Sequence, residues 1–361
     1  MNSATPPLFS PLTIRGVTLR NRIMMSPMCQ YSADDGIPNT WHLVHLGARA
    51  TGGVGLVMTE ATSVVPEGRI SPGDVGLWND EQLAAWRPII DFIESRGAVP
   101  GIQLAHAGRK ASTTIPFTGG VHPIPPGDGG WVPEGPSPIP FSERHTVPSE
   151  MTEARIAEVI EAFVAAAKRA VSAGFKVIEL HMAHGYLLQS FLSPVSNRRT
   201  DRYGGDRAGR MTFALELAAA VRGIIPESMP LFTRISSVDW LEEGWQLEDS
   251  VVLIDKLQEA GVDLVDASSG GITPEAAKAT VVDQQPKYAE YLKKHTNMLI
   301  GAVGGITRAD QANLIIEGGT ADIVVVGRQL LREPHWALLG ASKLGVDISW
   351  PDQYLRAKPQ S

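Results

Sequence analysis

The chain has 361 residues, of which 43% are hydrophobic and 20% charged, enough apolar content to bury one large core or two modest ones, as expected of a soluble globular protein. No run of about 18 apolar residues occurs, and the start Met1-Asn2-Ser3-Ala4-Thr5-Pro6-Pro7 lacks a basic flank followed by an apolar stretch, so the sequence predicts neither a membrane span nor a secretory signal, and a cytoplasmic location. A net charge of -7, with no basic cluster longer than that in Asn197-Arg198-Arg199, argues against a nucleic-acid surface and for a small-molecule substrate.

Arg22-Ile23-Met24-Met25-Ser26 is the first candidate strand, stopped by Pro27. Just beyond lies Cys29, the single cysteine, which can form no intramolecular disulfide and so fits a reducing compartment. The spacing of Leu43, Leu46 and Ala50 predicts a helix over 41–50, ended by Gly52-Gly53, and Gly55-Leu56-Val57-Met58-Thr59 a second strand finishing in Glu60-Ala61. Asn79 can cap a helix running to Gly97, before the strand Val99-Pro100-Gly101-Ile102-Gln103-Leu104. Residues 112–148 then turn rich in Gly, Pro and Ser, a composition hostile to regular helix and suited to a lid or substrate wall.

Thr152 opens an amphipathic helix closed by Gly174, and Val177-Ile178-Glu179-Leu180 follows as a short buried strand. Helices are predicted over 211–225 and 251–260, alternating with the strands Leu231-Phe232-Thr233-Arg234-Ile235 and Leu264-Val265-Asp266-Ala267. Leu299-Ile300-Gly301 with Gly304-Gly305, a helix over 308–317, and Asp322-Ile323-Val324-Val325-Val326 with Gly327-Arg328 complete the set. Successive strands recur at roughly 30 to 45 residues, the length of strand, loop, helix and loop, so the sequence predicts a closed (β/α)8 barrel as one domain over 1–361, with a lid-like insertion at 112–148 and a tail at 350–361. A doubly wound sheet would place ligand contacts mainly at one switch point, whereas here unusual chemistry follows nearly every strand.

In such a barrel the strand ends face one rim, which gathers Cys29, Tyr31, Ala61, Gln103, His181, His184, Tyr186, Arg234, Gly304, Gly305, Gly327 and Arg328. The last two loops are glycine-rich and expose backbone N–H groups to an anion, which implies a phosphate-bearing cofactor held by the barrel itself, since no G-x-G-x-x-G follows a strand. His181, His184 and Tyr186 crowd together where the fourth strand stops, and polarity there is costly unless it is used. The two histidines can be packed core residues, a metal pair taking a third ligand from Asp239, Glu60 or Asp266, or two donors on one helical turn facing a single oxygen. Gln103 can instead satisfy backbone, and Arg234 can pair with Glu179 or Asp266.

Five spaced motifs carry a family likeness: Ser26-Pro27-Met28-Cys29, Gln103-Leu104-Ala105-His106-Ala107-Gly108-Arg109, His181-x-x-His184-Gly185-Tyr186, Asn197-Arg198-Arg199-Thr200-Asp201-x-Tyr203-Gly204-Gly205, and Gly327-Arg328. Together they resemble the Old Yellow Enzyme family of FMN-dependent ene-reductases, in its bacterial branch of NADPH dehydrogenases and xenobiotic reductases. The resemblance implies FMN held by Ser26, Pro27, Met28, Cys29, Ala61, Gln103, Arg234, Gly304, Gly305, Gly327 and Arg328, with NADPH as hydride donor and the Cys29 thiol tuning the flavin. It implies that Tyr31 lines the substrate pocket, His181 and His184 bind the oxygen of an α,β-unsaturated carbonyl or nitro compound, and Tyr186 donates a proton. The family's Glu-Asn-Arg after Tyr-Gly-Gly is replaced by Arg207-Ala208-Gly209-Arg210. Gln353-Tyr354-Leu355-Arg356 matches a terminal motif that implies a homodimer or homotetramer, with Arg356 entering the neighbouring active site.

Overall fold

Short segments in which nearly every residue is apolar on both sides of the pleat cannot form a one-sided sheet; they need cover on both faces, and parallel strands wrapped by helices supply it. A computed structural model, described for residues 5–279 and 285–359, shows this arrangement. The strands are β1 (Ile23–Met25), β2 (Leu56–Ser63), β3 (Val99–Ala105), β4 (Val177–Met182), β5 (Leu231–Ser236), β6 (Leu264–Ser268), β7 (Leu299–Val303) and β8 (Ile323–Val326). They pair in parallel in chain order, and β8 hydrogen-bonds back to β1 to close an eight-stranded barrel. A helix follows each strand: α1 (Thr40–Thr51), α2 (Asp80–Ser95), α3 (Glu153–Ala173), α4 (Arg207–Arg222), α5 (Leu247–Glu259), α6 (Gln285–His295), α7 (Ala309–Glu317) and α8 (Trp336–Lys343). The expected (β/α)8 fold is therefore present. No helix among the described residues is long and apolar enough to cross a membrane.

Period-two alternation divides each strand between two cores. Outward residues such as Ile102, Ile178, Leu180 and Val265 pack under the helices with Trp86, Phe163 and Leu217. Inward residues Met24, Leu56, Met58, Val177, Phe232, Leu264 and Ile323 fill the lower lumen, joined by Ile14 and Leu19. Those two belong to an antiparallel hairpin, Leu12–Ile14 with Val17–Leu19, which plugs the N-terminal mouth and was not legible in the sequence. Above the apolar layers the inward positions turn polar, with Gln103, Glu179, Arg234 and Asp266 all buried.

Local chemistry explains where predicted boundaries move. The α4 helix begins four residues before Met211, because the Asp206 side chain accepts from Gly209 N–H at 2.9 Å and caps it. The departure from the family pattern lies in this first turn, where Arg210 donates to the Leu192 carbonyl at 3.0 Å and the Gly205 carbonyl at 2.8 Å. The α5 helix starts at Leu247 through a reciprocal Gln246–Asp249 cap. The second strand does not stop at Thr59: a bulge between Met58 and Ala61 lets it run to Ser63 and re-aims Glu60 and Ala61 at the rim. Residues 112–148 carry a 3-10 turn at Pro126–Asp128 and a two-residue strand, Glu134–Gly135, paired with Ser149–Glu150. Buried Arg109 ties this excursion down by donating to the Ile139 and Pro140 carbonyls at 3.3 and 3.2 Å.

Candidate active site

The alternation that sends Val177 and Glu179 into the lumen also sends His181 there, one level higher and at the rim. His184 does not share a helical turn with it, correcting the expectation of a helical i, i+3 pair. The strand ends at Met182, His184 adopts a left-handed φ of 61° followed by Gly185 at 74°, and the next helix, Leu187–Leu192, starts only after Tyr186. A histidine in that region costs on the order of 1–3 kcal/mol, so the surroundings must hold it. They do: the Ser236 hydroxyl accepts from His184 N–H at 2.9 Å, Lys110 Nζ donates to the His184 carbonyl at 2.8 Å, and Gly185 N–H is bonded to Gln189. Gln189 in turn donates to Asp239, which also accepts from Ser193 Oγ at 2.6 Å and Trp245 N–H at 2.8 Å.

The turn brings three rings together. His181 lies edge-on to His184 at 5.2 Å between centroids and to Tyr186 at 5.0 Å. Backbone N–H of Ala183 donates to His181 Nδ1 at 3.2 Å, so Nδ1 is the acceptor and the ring proton of the neutral imidazole sits on Nε2. His184 Nε2 faces the Ser268 hydroxyl at 2.7 Å. Burial, then the positive charge of Arg234, pushes both imidazoles well below their ordinary range and keeps them neutral. Burial also raises the Tyr186 phenol, which stays protonated. The carboxylates considered as third metal ligands are otherwise engaged: Asp239 with Gln189, Glu60 with Gln30 N–H at 2.8 Å and His42 at 3.4 Å, and Asp266 with Arg234 at 3.1 Å.

Beside the rings opens a cavity of about 740 Å³, lined among others by Met28, Arg234, Ser268, Gly304, Gly305, Gly327 and Arg328. Gly304 and Gly305 have φ of 106° and 65°, values that let backbone N–H groups turn toward an anion without a Cβ in the way. Arg234 also donates to the Ser26 hydroxyl at 3.3 Å. Burial, then Asp74 and Glu60, raises the Cys29 thiol, with Tyr31 opposing the shift. Ala61, Asp74, Ala105 and Tyr186 surround a small pocket. Gln103 turns inward, donating to Glu179 Oε1 at 2.8 Å rather than to backbone, and Arg234 pairs with Asp266, as one alternative had it. Arg356 stands apart in the exposed 3-10 turn Asp352–Ala357, with no ion-pair partner among the described residues.

Sequence reasoning left several residues of the site without a role. Lys110 falls one residue past the motif that ends at Arg109, yet its ammonium lies 4.9 Å from the Tyr186 ring centroid and burial lowers it to about 8. Arg308 and Arg332 add charge to the cavity from the same two loops that supply the glycines, and Gln285, Gln311 and Gln329 line it as well.

A barrel whose rim joins an arginine-lined, glycine-rimmed cavity to two neutral imidazoles and a protonated phenol is a flavin-type oxidoreductase site in outline. The chain belongs to the NADH:flavin oxidoreductase / NADH oxidase family, whose sequence profile matches residues 7–344. It is similar to the NADPH dehydrogenases of Geobacillus thermodenitrificans, 46% identical over 351 residues and covering 97% of this chain and 98% of the relative, and of Bacillus cytotoxicus, 46% identical with 97% and 96% covered. Among solved structures it is similar to morphinone reductase, 26% identical, with a TM-score of 0.77 over 98% of this chain and 93% of that one. The cavity fits the family's flavin mononucleotide: its size, its left-handed glycines and its arginines suit a phosphorylated ring system.

Proposed function

We propose that the chain is an FMN-dependent NADPH dehydrogenase, one barrel unit that reduces the C=C bond of alkenes conjugated to a carbonyl or nitro group. The observation that carries this reading is the convergence of His181, His184 and Tyr186 beside the Arg234 cavity. FMN, when bound, accepts hydride from NADPH and returns it to the substrate. Gly304, Gly305, Gly327 and Arg328 would hold its phosphate, and Ser26, Pro27, Met28, Cys29, Ala61, Gln103 and Arg234 would surround its ring.

His181 offers an Nε2–H, and His184, with Ser268 donating to Nε2, offers an Nδ1–H. Two neutral donors stabilise the negative charge that develops on the substrate oxygen without holding the ground state as strongly. Tyr186 hands its proton to the α-carbon as general acid. Tyr31 walls the pocket. The free Cys29 thiol is the ground for placing the protein in a reducing compartment such as the cytoplasm.

The protein should purify yellow, bleach under NADPH without oxygen, and regain colour when cyclohexenone is added. A folded, colourless protein that binds no FMN in a fluorescence titration would overturn the assignment.

The tail extends the proposal to assembly. Trp41 and Val44 on α1 are 55% and 62% exposed, Tyr354 and Leu355 in the tail are 40% and 51% exposed, and Arg356 is without an ion-pair partner among the described residues, apolar and charged groups better suited to a second copy than to water. A homodimer or homotetramer in which Arg356 reaches the neighbour's substrate pocket would use all of them. Deleting the tail from Trp350 onward should raise the Michaelis constant for a small enone several-fold and shift the sedimentation profile toward monomer, with FMN content retained. Unchanged sedimentation and kinetics would leave the tail without a role. Its last two residues, 360 and 361, lie outside the described residues.

A further inference from the structure

The polar layer inside the barrel holds one more cation-to-anion question than the reaction uses. Gln103, Glu179, Arg234 and Asp266 come from the adjacent strands β3, β4, β5 and β6, and none is more than 6% exposed. Two carboxylates therefore share a closed lumen with a single guanidinium, above the apolar floor of Val177, Phe232 and Leu264. Arg234 Nε lies 3.1 Å from Asp266 and its Nη1 donates upward to Ser26. Glu179 receives one hydrogen bond, from Gln103 at 2.8 Å, and has no ion-pair partner among the described residues; Asp266 accepts no hydrogen bond at either oxygen but lies against the guanidinium. A buried carboxylate with no cation beside it is held far less well as an anion than one facing a guanidinium, and two such charges side by side cannot both be supported.

We propose that Glu179 is a positioning residue that keeps a proton in the barrel interior, so that Arg234 is balanced by Asp266 alone and its remaining field is directed into the cofactor cavity. Loss of that proton would place a second negative charge under the cavity and disfavour added electron density there. The inference rests on the flavin reading for its consequence, though not for the proton itself. The charged groups that act on Glu179 are Asp266 and Arg234, with neutral His181 next on its own face; burial first, then Asp266, raises it to about 8, and burial raises Asp266 too. With a folded value above the ordinary 4.5, the stabilising proton is fully in place below that pH and is lost as pH rises through about 8.

The test compares wild type with Glu179→Gln, which keeps the shape and cannot ionise. With FMN bound, spectroelectrochemistry from pH 6.5 to 9.5 should show the two proteins titrating together at low pH. Above about pH 8 the reduced-to-oxidised ratio of wild type should fall roughly tenfold below that of the variant, one pKa unit of coupling. Without FMN, the melting temperature of wild type should decline against the variant as pH rises from 6.5 to about 8 and hold level against it above. Parallel potentials and parallel melting curves would overturn the proposal. If the protein takes up no FMN, the flavin reading fails while the melting comparison still decides the proton. If Glu179→Gln does not fold, the infrared band of a protonated carboxylic acid decides, in wild type carrying 13C at its glutamate carboxyls: a band shifted by that label at pH 7.5 supports the proposal, and a band that the label leaves unshifted, as Asp266, Asp74 or Asp239 would give, or no band, overturns it.

Discussion

Changing Tyr186 to phenylalanine should slow enone reduction by on the order of 10²-fold or more while leaving NADPH oxidation in the first half-reaction nearly intact. The asymmetry follows from where the phenol sits. It is 5.0 Å from His181 between ring centroids, with burial keeping it protonated, and phenylalanine retains the ring that packs there and under Lys110. Only the proton is lost. Stopped-flow absorbance separates the halves, since reduction and reoxidation of the flavin are read at the same wavelength in separate mixes. A variant slow with NADPH and normal with the enone would reverse the assignment. Removing either histidine should behave differently, weakening phenolate-type ligands as well, because an oxygen then loses a donor.

The second large effect is expected at Asp239, which touches neither substrate nor cofactor in this reading. Asp239→Ala would strip the acceptor from three groups at once, the Gln189 amide, the Ser193 hydroxyl and the Trp245 N–H, all in a buried setting. At about 1–3 kcal/mol for each stranded donor, with partial relaxation, a loss on the order of 3–5 kcal/mol is expected, read as a lower urea midpoint at saturating FMN. Function should suffer beyond stability. Freed from Asp239, Gln189 no longer fixes Gly185 N–H, and the left-handed His184 loses one of its restraints. Phenolic ligand affinity should therefore fall even in protein that remains folded. Asp239→Asn, which keeps one acceptor oxygen, should lie between the two. An unchanged urea midpoint and unchanged ligand affinity for Asp239→Ala would show that the turn is held elsewhere.

The barrel was legible because its signals are local: apolar runs of strand length, each followed by a capped amphipathic helix and separated by a regular spacing. The rim was legible because strand-end chemistry is written in consecutive residues, as in His181 to Tyr186. What escaped depends on contacts between residues far apart in sequence. The hairpin that plugs the lower mouth has only three residues per strand, too few for a period to show. The bulge at Met58–Ala61 reflects register against β3, which no single strand reveals. The left-handed backbone at His184 broke the helical geometry that i, i+3 spacing suggested, since its φ is set by Ser236, Lys110 and Gln189 together. Lys110 and Asp239 likewise acquire meaning only from what the fold sets beside them.

Closure of the barrel between its first and last strands bears on how the protein comes into being. Val325 pairs with Met24 and Ser26 N–H reaches the Val326 carbonyl at 3.0 Å, so a seam joins residues 300 positions apart. The cavity straddles that seam, taking Met28 from one side and Gly304, Gly305, Gly327 and Arg328 from the other. A ribosome-bound chain emerging from its N-terminus cannot offer this cavity until the eighth strand has been made, whatever the concentration of free flavin. Cofactor capture is thereby a late event in biosynthesis, and a truncation upstream of Ile323 leaves an open sheet with unpaired edges in place of an apoenzyme.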